Sequence, residues 1–284
     1  MVRRSLLYVP GDDPDKLETA VQTPADVVIF DLEDAVHPDR TPEARRAVRE
    51  MLDRDADHDP ELAVRINPYG RGGARDVEAV VGDAATPPDS LVLPKADGAA
   101  AVEQLRAHVR DLGADAVDIV PLIETAEGVV AAEEIAAAAG VSAVAYGDQD
   151  FTADVGATVT DDKTESLYAR QRLVVAASAA GVDAFDTVYT DIDDVDGLRD
   201  QTERIVEFGF DGKLAIHPDQ LPVINGAYTP DADAVEWAER VVDRAADQGS
   251  DSVGVFTVDG QMIDPPLVER ARTILERARA AGVR

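Results

Sequence analysis

The chain has no cysteine and only four lysines, Lys16, Lys95, Lys163 and Lys213, among its 284 residues. Without a thiol, disulfides, thiolate metal sites and cysteine nucleophiles are excluded. Long uninterrupted apolar runs are missing too. The N-terminal stretch turns quickly to the polar "GDDPDK", and the alanine runs are broken by acids. Nothing there reads as a signal peptide or a membrane-spanning segment, so the expected location is the cytoplasm. Positive charge is equally scarce: 27 basic residues face 57 acidic ones, a net charge of −30. That balance argues against binding to nucleic-acid phosphates or an anionic membrane. Aspartate outnumbers glutamate by 39 to 18, and nearly all positive charge is arginine. Acid-rich, lysine-poor surfaces of this kind look like those of halophilic proteins, where high ionic strength screens crowded carboxylates. A single aspartate here therefore reads first as solvated surface, and a functional role has to rest on placement.

What is present is a regular alternation. Short apolar, β-branched runs stand at 5–9 ("SLLYV"), 27–32 ("VVIFDL"), 62–66 ("LAVRI"), 91–94 ("LVLP"), 117–123 ("VDIVPLI"), 141–147 ("VSAVAYG"), 183–188 ("DAFDTV") and 213–217 ("KLAIH"). Between them, helical spacing predicts helices over 14–22, 41–53, 74–82, 98–112, 126–139, 164–180 and 194–208. Strands this continuously apolar are buried on both faces, as in parallel sheets. Eight strand–helix units in one chain of this length predict a TIM (β/α)8 barrel over 1–225. A C-terminal extension over 226–284 follows, with helices at about 231–248 and from Pro265 or Pro266 to near Ala281, flanking "VGVFTVDGQMID". No G-x-G-x-x-G fingerprint follows the first strand, which weighs against a dinucleotide fold.

In such barrels the active site lies at the C-terminal ends of the strands. Reactive side chains collect there. The second strand ends in Asp31, Glu33 and Asp34, the third carries Arg65 and Asn67, the fourth leads to Lys95 and the fifth to Glu124. The sixth leads to Asp148 and Asp150, the seventh carries Asp186, and the eighth ends at Ile216 and His217. Glu124 and one of Asp148 or Asp150 would meet across neighbouring strands. Paired carboxylates repel unless a cation or a shared proton intervenes, and oxygen ligands suit a hard cation such as Mg2+. The bland alternative for each is a helix cap. Arg65, flanked by Val64 and Ile66, needs an anionic partner, either a substrate carboxylate or an acid of "DLED". Lys95 stands out by scarcity, with a Schiff-base role open to it. His217 is a capping residue or a site residue.

The stretches "RRSLLYVPGDDPDKLETA", "VVIFDLEDAV", "AVRIN", "LVLPK", "PLIETAEGV", "YGDQDFTADVG", "AFDTVY", "GFDGKLAIHPDQ" and "DGQMIDPP" resemble, in order, the citrate lyase β-subunit-like branch of the HpcH/HpaI aldolase superfamily. That resemblance covers residue 3 to about 275. It implies a Mg2+-dependent TIM barrel, with Mn2+ as a substitute, that breaks or forms a carbon–carbon bond between an acyl-CoA and a 2-oxo acid. It implies Glu124 and Asp150 as metal ligands and Arg65 as the residue that grips the substrate and steadies the enolate. Tyr8 and Lys16 match positions that contact CoA. Ile216 and His217 match a stretch lining the thioester end. Asp31, Glu33, Asp34, Lys95 and Asp148 support the site. Asp264 resembles an acid/base delivered by a neighbouring subunit, which implies a homotrimer or homohexamer.

The expected activity is cleavage of malyl-CoA, β-methylmalyl-CoA or citramalyl-CoA to an acyl-CoA and glyoxylate or pyruvate. Two alternatives use the same site: a malyl-CoA thioesterase, and a noncatalytic CoA-ester-binding protein, since fold does not determine function. A true citrate lyase subunit would depend on partner subunits that the sequence does not reveal. The charge excess generates a prediction. Thermal unfolding followed from molar to millimolar salt will show a falling midpoint, because self-repulsion grows as screening is withdrawn; a midpoint indifferent to salt would refute the halophilic reading of the surface.

Overall fold

The structure, a computed structural model, describes residues 2–54, 60–82, 85–160, 162–247 and 254–284. Eight strands, β1 (Ser5–Pro10), β2 (Val27–Asp31), β3 (Glu61–Arg65), β4 (Ser90–Leu93), β5 (Asp118–Ile123), β6 (Ala143–Tyr146), β7 (Asp183–Asp186) and β8 (Gly212–Ala215), pair in sequence order and close on themselves as β8 meets β1. Every pairing in the barrel is parallel. The fold is the expected TIM barrel, each expected run lying on its strand to within two residues at either end.

Strand side chains alternate between two faces, and both faces are buried here. Leu6, Val27, Ile29, Ala63, Val92, Val120, Leu122, Ala143, Ala145, Phe185 and Leu214 fill the interior as one cluster, with Tyr8 and Val188 packed against it. Residues of opposite parity, such as Val28, Phe30, Val64, Leu91, Ile119 and Val144, are equally buried.

The helices of this part are α1 (Pro14–Ala20), α2 (Thr41–Leu52), α3 (Gly73–Val77), α4 (Ala99–Asp111), α5 (Ala126–Val130), α6 (Ala132–Ala136), α7 (Asp148–Asp154), α8 (Leu167–Ala180), α9 (Val195–Phe208) and α10 (Leu221–Tyr228). The single helix expected over 126–139 is broken at Ala131. Arg172 of α8 explains the break: its guanidinium donates to the carbonyls of Val129 and Val130 at 2.7 and 2.8 Å, so those carbonyls serve another element. The helix expected over 74–82 is α3 followed by a π-helical turn at Glu78–Gly82. Helices α7 and α10 were not foreseen.

The chain divides into a larger unit, Arg3–Ile224, and a smaller one that carries Asn225–Arg284. The smaller unit has its own core. Its helices α11 (Ala232–Asp247) and α12 (Pro265–Ala280) enclose Ala238, Val241, Ala245, Val268, Ala271 and Leu275. A hairpin of β9 (Phe256–Val258) and β10 (Gln261–Ile263) adds Phe256, Val258 and Ile263. Its two-residue turn, Asp259-Gly260, has positive φ at both positions, as a type I′ turn requires. Positions 248–253 of the expected extension, which include the end of its first expected helix and Val253 of "VGVFTVDGQMID", lie outside the described residues. Among the described residues no helix is long and apolar enough to cross a membrane.

One buried charge network braces β7 and β8 from outside. Lys213, fully buried, donates to Asp186 Oδ2 at 2.9 Å, the Thr187 carbonyl at 2.7 Å and Gln201 Oε1 at 2.9 Å. Arg170 of α8 lies 3.0 Å from the other Asp186 oxygen. Burial pushes the Lys213 ammonium below its ordinary range, with the Asp186 charge opposing. All three ammonium protons are used, which is what makes a lysine tolerable there. Lys213→Met leaves Asp186 half compensated, and urea unfolding at high salt is expected to show a loss on the order of 3 kcal/mol; an unchanged midpoint would show that the pair contributes nothing net.

Candidate active site

The interior face of the barrel carries its chemistry on the rung above the apolar cluster. Continuing the inward parity of each strand leads from Leu6 to Tyr8, from Ile29 to Asp31, from Ala63 to Arg65, from Leu122 to Glu124, from Ala145 to Gly147 and from Leu214 to Ile216. All six line one cavity of about 270 Å3, together with Asp34, Asp148 and Asp150. A larger cavity of about 570 Å3 is lined by Lys163, Arg170, Tyr189, Gln201 and Arg204 and includes none of those six.

Asp31 and Arg65 are register partners at the ends of β2 and β3. The Arg65 guanidinium grips Asp31 through both Nε, at 2.7 Å, and Nη2, at 2.5 Å. Its Nη1 lies 3.3 Å from Glu33 Oε2 and 3.8 Å from Asp34 Oδ2. The same guanidinium lies over the Tyr8 ring, 4.7 Å from the centroid. A planar cation fixed along one edge and one face keeps little freedom, so it meets a ligand preorganised. The Tyr8 hydroxyl is buried with no hydrogen-bond partner among the described residues, and burial raises its pKa above the ordinary phenol range.

Glu124 is buried at 3% exposure. Its Oε1 accepts the Lys95 amide at 2.9 Å, and no donor among the described residues bonds its Oε2. Oε2 has room only because residue 147 is glycine: a Cβ at that position would lie 2.5 Å from it. Asp150, in the first turn of α7, is half-exposed beside it. Burial pushes the Glu124 carboxyl up to about 8; the charges of Asp150 and Glu33 reinforce this against the Lys95 amide. Glu33 is pushed up to about 7, again mainly by burial, with Arg65 and Lys95 opposing. Such carboxylates favour a cation.

Lys95 reaches Glu33 Oε1 at 3.3 Å and Asp150 Oδ1 at 3.9 Å. Burial would lower its pKa, but the charges of Glu33, Glu124 and Asp150 outweigh it and raise the ammonium above its usual value. A Schiff-base lysine needs the opposite shift, so that role is set aside.

Asp148 differs from Asp150. It is buried, accepts from Lys163 Nζ at 2.9 Å and from the Tyr146 hydroxyl at 3.2 Å, and anchors its own amide on Thr187. Burial works against its charge, yet Lys163, Arg170 and the Ser166 hydroxyl hold it below the usual carboxylate range. The cap alternative fails for both Glu124 and Asp148: Thr125 caps α5, and Gly147 precedes α7 without a side-chain cap. Asp154 does act as a capping acid, accepting the Ala126 amide at 2.8 Å.

Other expected residues fall elsewhere. Asp186 has the parity opposite to Phe185 and meets Arg170 of α8. Asn67 bonds the Leu32 carbonyl and Asp76. His217 caps the short 3-10 turn at Pro218–Gln220 and does not line the cavity, whereas Ile216 does. Lys16 is exposed in α1 and pairs with Asp13 at 3.3 Å. Asp264, in the smaller unit, caps α12 by accepting the Leu267 amide. Sequence reasoning passed over Gly147 and Lys163. The first was legible as a glycine of inward parity between two apolar positions and the acids, the second as one of only four lysines.

No group of three or more His, Asp or Glu residues able to hold a metal occurs among the described residues. Glu124 with Asp150 supplies two hard oxygen donors, one of them from a buried carboxylate with an open oxygen. That set fits Mg2+, which is held by one or two carboxylates and fills its remaining positions with water and substrate.

Known proteins resemble this chain over nearly its whole length. The model of the HpcH/HpaI aldolase/citrate lyase family matches residues 4–218. The citrate lyase β subunit of Escherichia coli (strain K12) is 35% identical over 99% of this chain and 95% of its own. The mitochondrial citramalyl-CoA lyase of Rattus norvegicus is 35% identical over 97% of this chain and 86% of its own. CitE of Mycobacterium tuberculosis, solved with magnesium, acetoacetate and coenzyme A, has a TM-score of 0.80 at 36% identity, covering 98% of each chain. Fold and relatives together define the class as carbon–carbon lyases. The chain belongs to the HpcH/HpaI aldolase/citrate lyase family.

Gly147 carries the clearest consequence. In Gly147→Ala the new methyl displaces the Glu124 carboxylate, so Mg2+ affinity measured by calorimetry is expected to fall at least about tenfold while the fold survives, a cost consistent with local overpacking; native affinity in that variant would show that Glu124 is not held by this contact.

Proposed function

We propose that the protein is a Mg2+-dependent lyase that cleaves malyl-CoA, β-methylmalyl-CoA or citramalyl-CoA into an acyl-CoA and glyoxylate or pyruvate. The observation that carries this reading is the buried Glu124 with one open oxygen, standing beside Asp150 and across the cavity's lining from the clamped Arg65. The relatives lend support: one is named a citramalyl-CoA lyase, and another was solved with magnesium and coenzyme A.

Glu124 and Asp150 would hold the cation, with Mn2+ as a substitute. When bound, it supplies Lewis-acid polarisation of the substrate's hydroxyl and carboxylate oxygens. Once the hydroxyl has given up its proton to solvent water, breaking the bond between the carbinol carbon and the carbon next to the thioester leaves the 2-oxo acid and an acyl-CoA enolate. Arg65 is the cation placed to oppose that developing charge, and its fixed orientation costs no reorganisation at the moment of cleavage. Asp31 keeps it in place. Asp264 is the candidate donor of the proton that the enolate carbon takes up; in this reading it comes from the smaller unit of a neighbouring copy in a homotrimer or homohexamer. Tyr8, Ile216 and His217 would contact the CoA ester, and Lys16 its more distant part.

The test is incubation with the three CoA esters at high salt, with Mg2+ and with chelator, followed by product analysis. Acyl-CoA plus glyoxylate or pyruvate, dependent on Mg2+, is the expected outcome, and the best of the three names the substrate. Asp150→Ala should abolish turnover, whereas Asp264→Asn should lower it with Mg2+ binding kept. Free CoA plus intact hydroxy diacid would instead identify a thioesterase, and no reaction with any ester would leave a binding protein.

A further inference from the structure

Lys95 occupies an unusual place for an unusual residue. It is one of three non-glycine residues with positive φ among those described, at 52°, a left-handed conformation that glycine adopts without steric cost. Its amide and its ammonium serve the same cluster. The amide holds Glu124 at 2.9 Å, and the ammonium lies 3.3 Å from Glu33 and 3.9 Å from Asp150. Yet Lys95 does not line the cavity that Glu124, Asp150 and Arg65 line. Its charge therefore reaches the carboxylate cluster without itself lining that cavity. Lysine is depleted to four residues in this chain, and the amide contact alone would be supplied by any residue but proline. The ammonium is what lysine adds at this position beyond that amide.

We propose that Lys95 is a tethered counter-ion that competes with the divalent cation for Glu124 and Asp150. The inference rests on those two residues being the cation's ligands. With the cation away, the ammonium offsets repulsion among Glu33, Glu124 and Asp150 and keeps the β4 and β5 ends together. With the cation present, the same fixed positive charge opposes it and weakens its hold. Lys95 is a positioning residue that sets the cation's affinity low enough for exchange, acting through its charge and not through contact with substrate.

The opposing signs give the test. Mg2+ titration by calorimetry and Mn2+ binding by electron paramagnetic resonance, at fixed high salt, compare the native protein with Lys95→Met and Lys95→Arg, and thermal unfolding is followed in chelator. Methionine keeps the chain length, the amide contact and the left-handed backbone while removing the charge. Lys95→Met is expected to bind both cations on the order of tenfold more tightly, since a like charge at this range is removed. It is also expected to unfold at a lower temperature in chelator, with saturating Mg2+ restoring the native midpoint. Lys95→Arg should stay close to native in both readouts. Equal or weaker binding in a folded Lys95→Met would overturn the proposal and leave a packing role; Lys95→Gln, neutral but polar, decides in the same way if the methionine variant does not fold. Absence of cation binding to the native protein would overturn the ligand reading itself, and this proposal with it.

Discussion

Crowded carboxylates at the mouth of one barrel set the terms for everything around them. Asp31, Glu33, Glu124 and Asp150 converge above an apolar interior that screens charge poorly, and like charges in such surroundings separate or take up protons unless something positive is built in. Arg65 answers for Asp31 along a bidentate edge. Lys95 answers for Glu33 and Asp150, and its backbone amide for Glu124. The remaining negative charge is the attraction the site offers to a cation. Gly147 and the stacked Tyr8 follow from the same constraint: the first makes room for a carboxylate oxygen, the second supports the arginine that steadies its neighbour.

A second layer of charge secures the frame. Lys163 pairs with Asp148, Tyr146 bonds the same carboxylate and lies under Arg170, and Arg170 shares Asp186 with Lys213. Acid and base alternate along this path from the start of α7 to β8. Asp148 opens the helical turn in which Asp150 stands, so the network fixes the direction in which Asp150 is offered. Its charged groups are paired with one another. Their value is rigidity beneath a turn that must hold still.

The barrel was legible because its strands are apolar on both faces and nearly every one ends in a polar residue. The site was legible to the extent that parity was respected. Asp31, Arg65 and Glu124 continue the inward alternation of their strands, and they do face the cavity. Asp186 also follows an apolar run, but it is out of phase with Phe185, and position at a strand end alone could not exclude it. Asp148 and Asp150 lie beyond the strand, where parity says nothing; burial and bonds to Tyr146, Thr187 and Lys163 set Asp148 apart, and the Lys163 contact spans fifteen positions. The hairpin of the smaller unit had a local signal in Asp259-Gly260 between apolar alternations. The break at Ala131 had none, because its cause is an arginine more than forty residues away.

The depletion of lysine has a practical side for chemical modification. Lys213 is fully enclosed, while Lys95 and Lys163 are partly covered and engaged with carboxylates. Lys16 alone stands largely in solvent, at 64% exposure of its side chain, on the outer helix α1. Amine-directed coupling to a resin or a dye would therefore fall mainly on that residue and on the terminal amine. Because Lys16 is also the residue assigned above to the distant part of the CoA ester, such coupling would probe that contact while leaving Glu124 and Asp150 untouched, a selectivity that an ordinary lysine-rich surface does not offer.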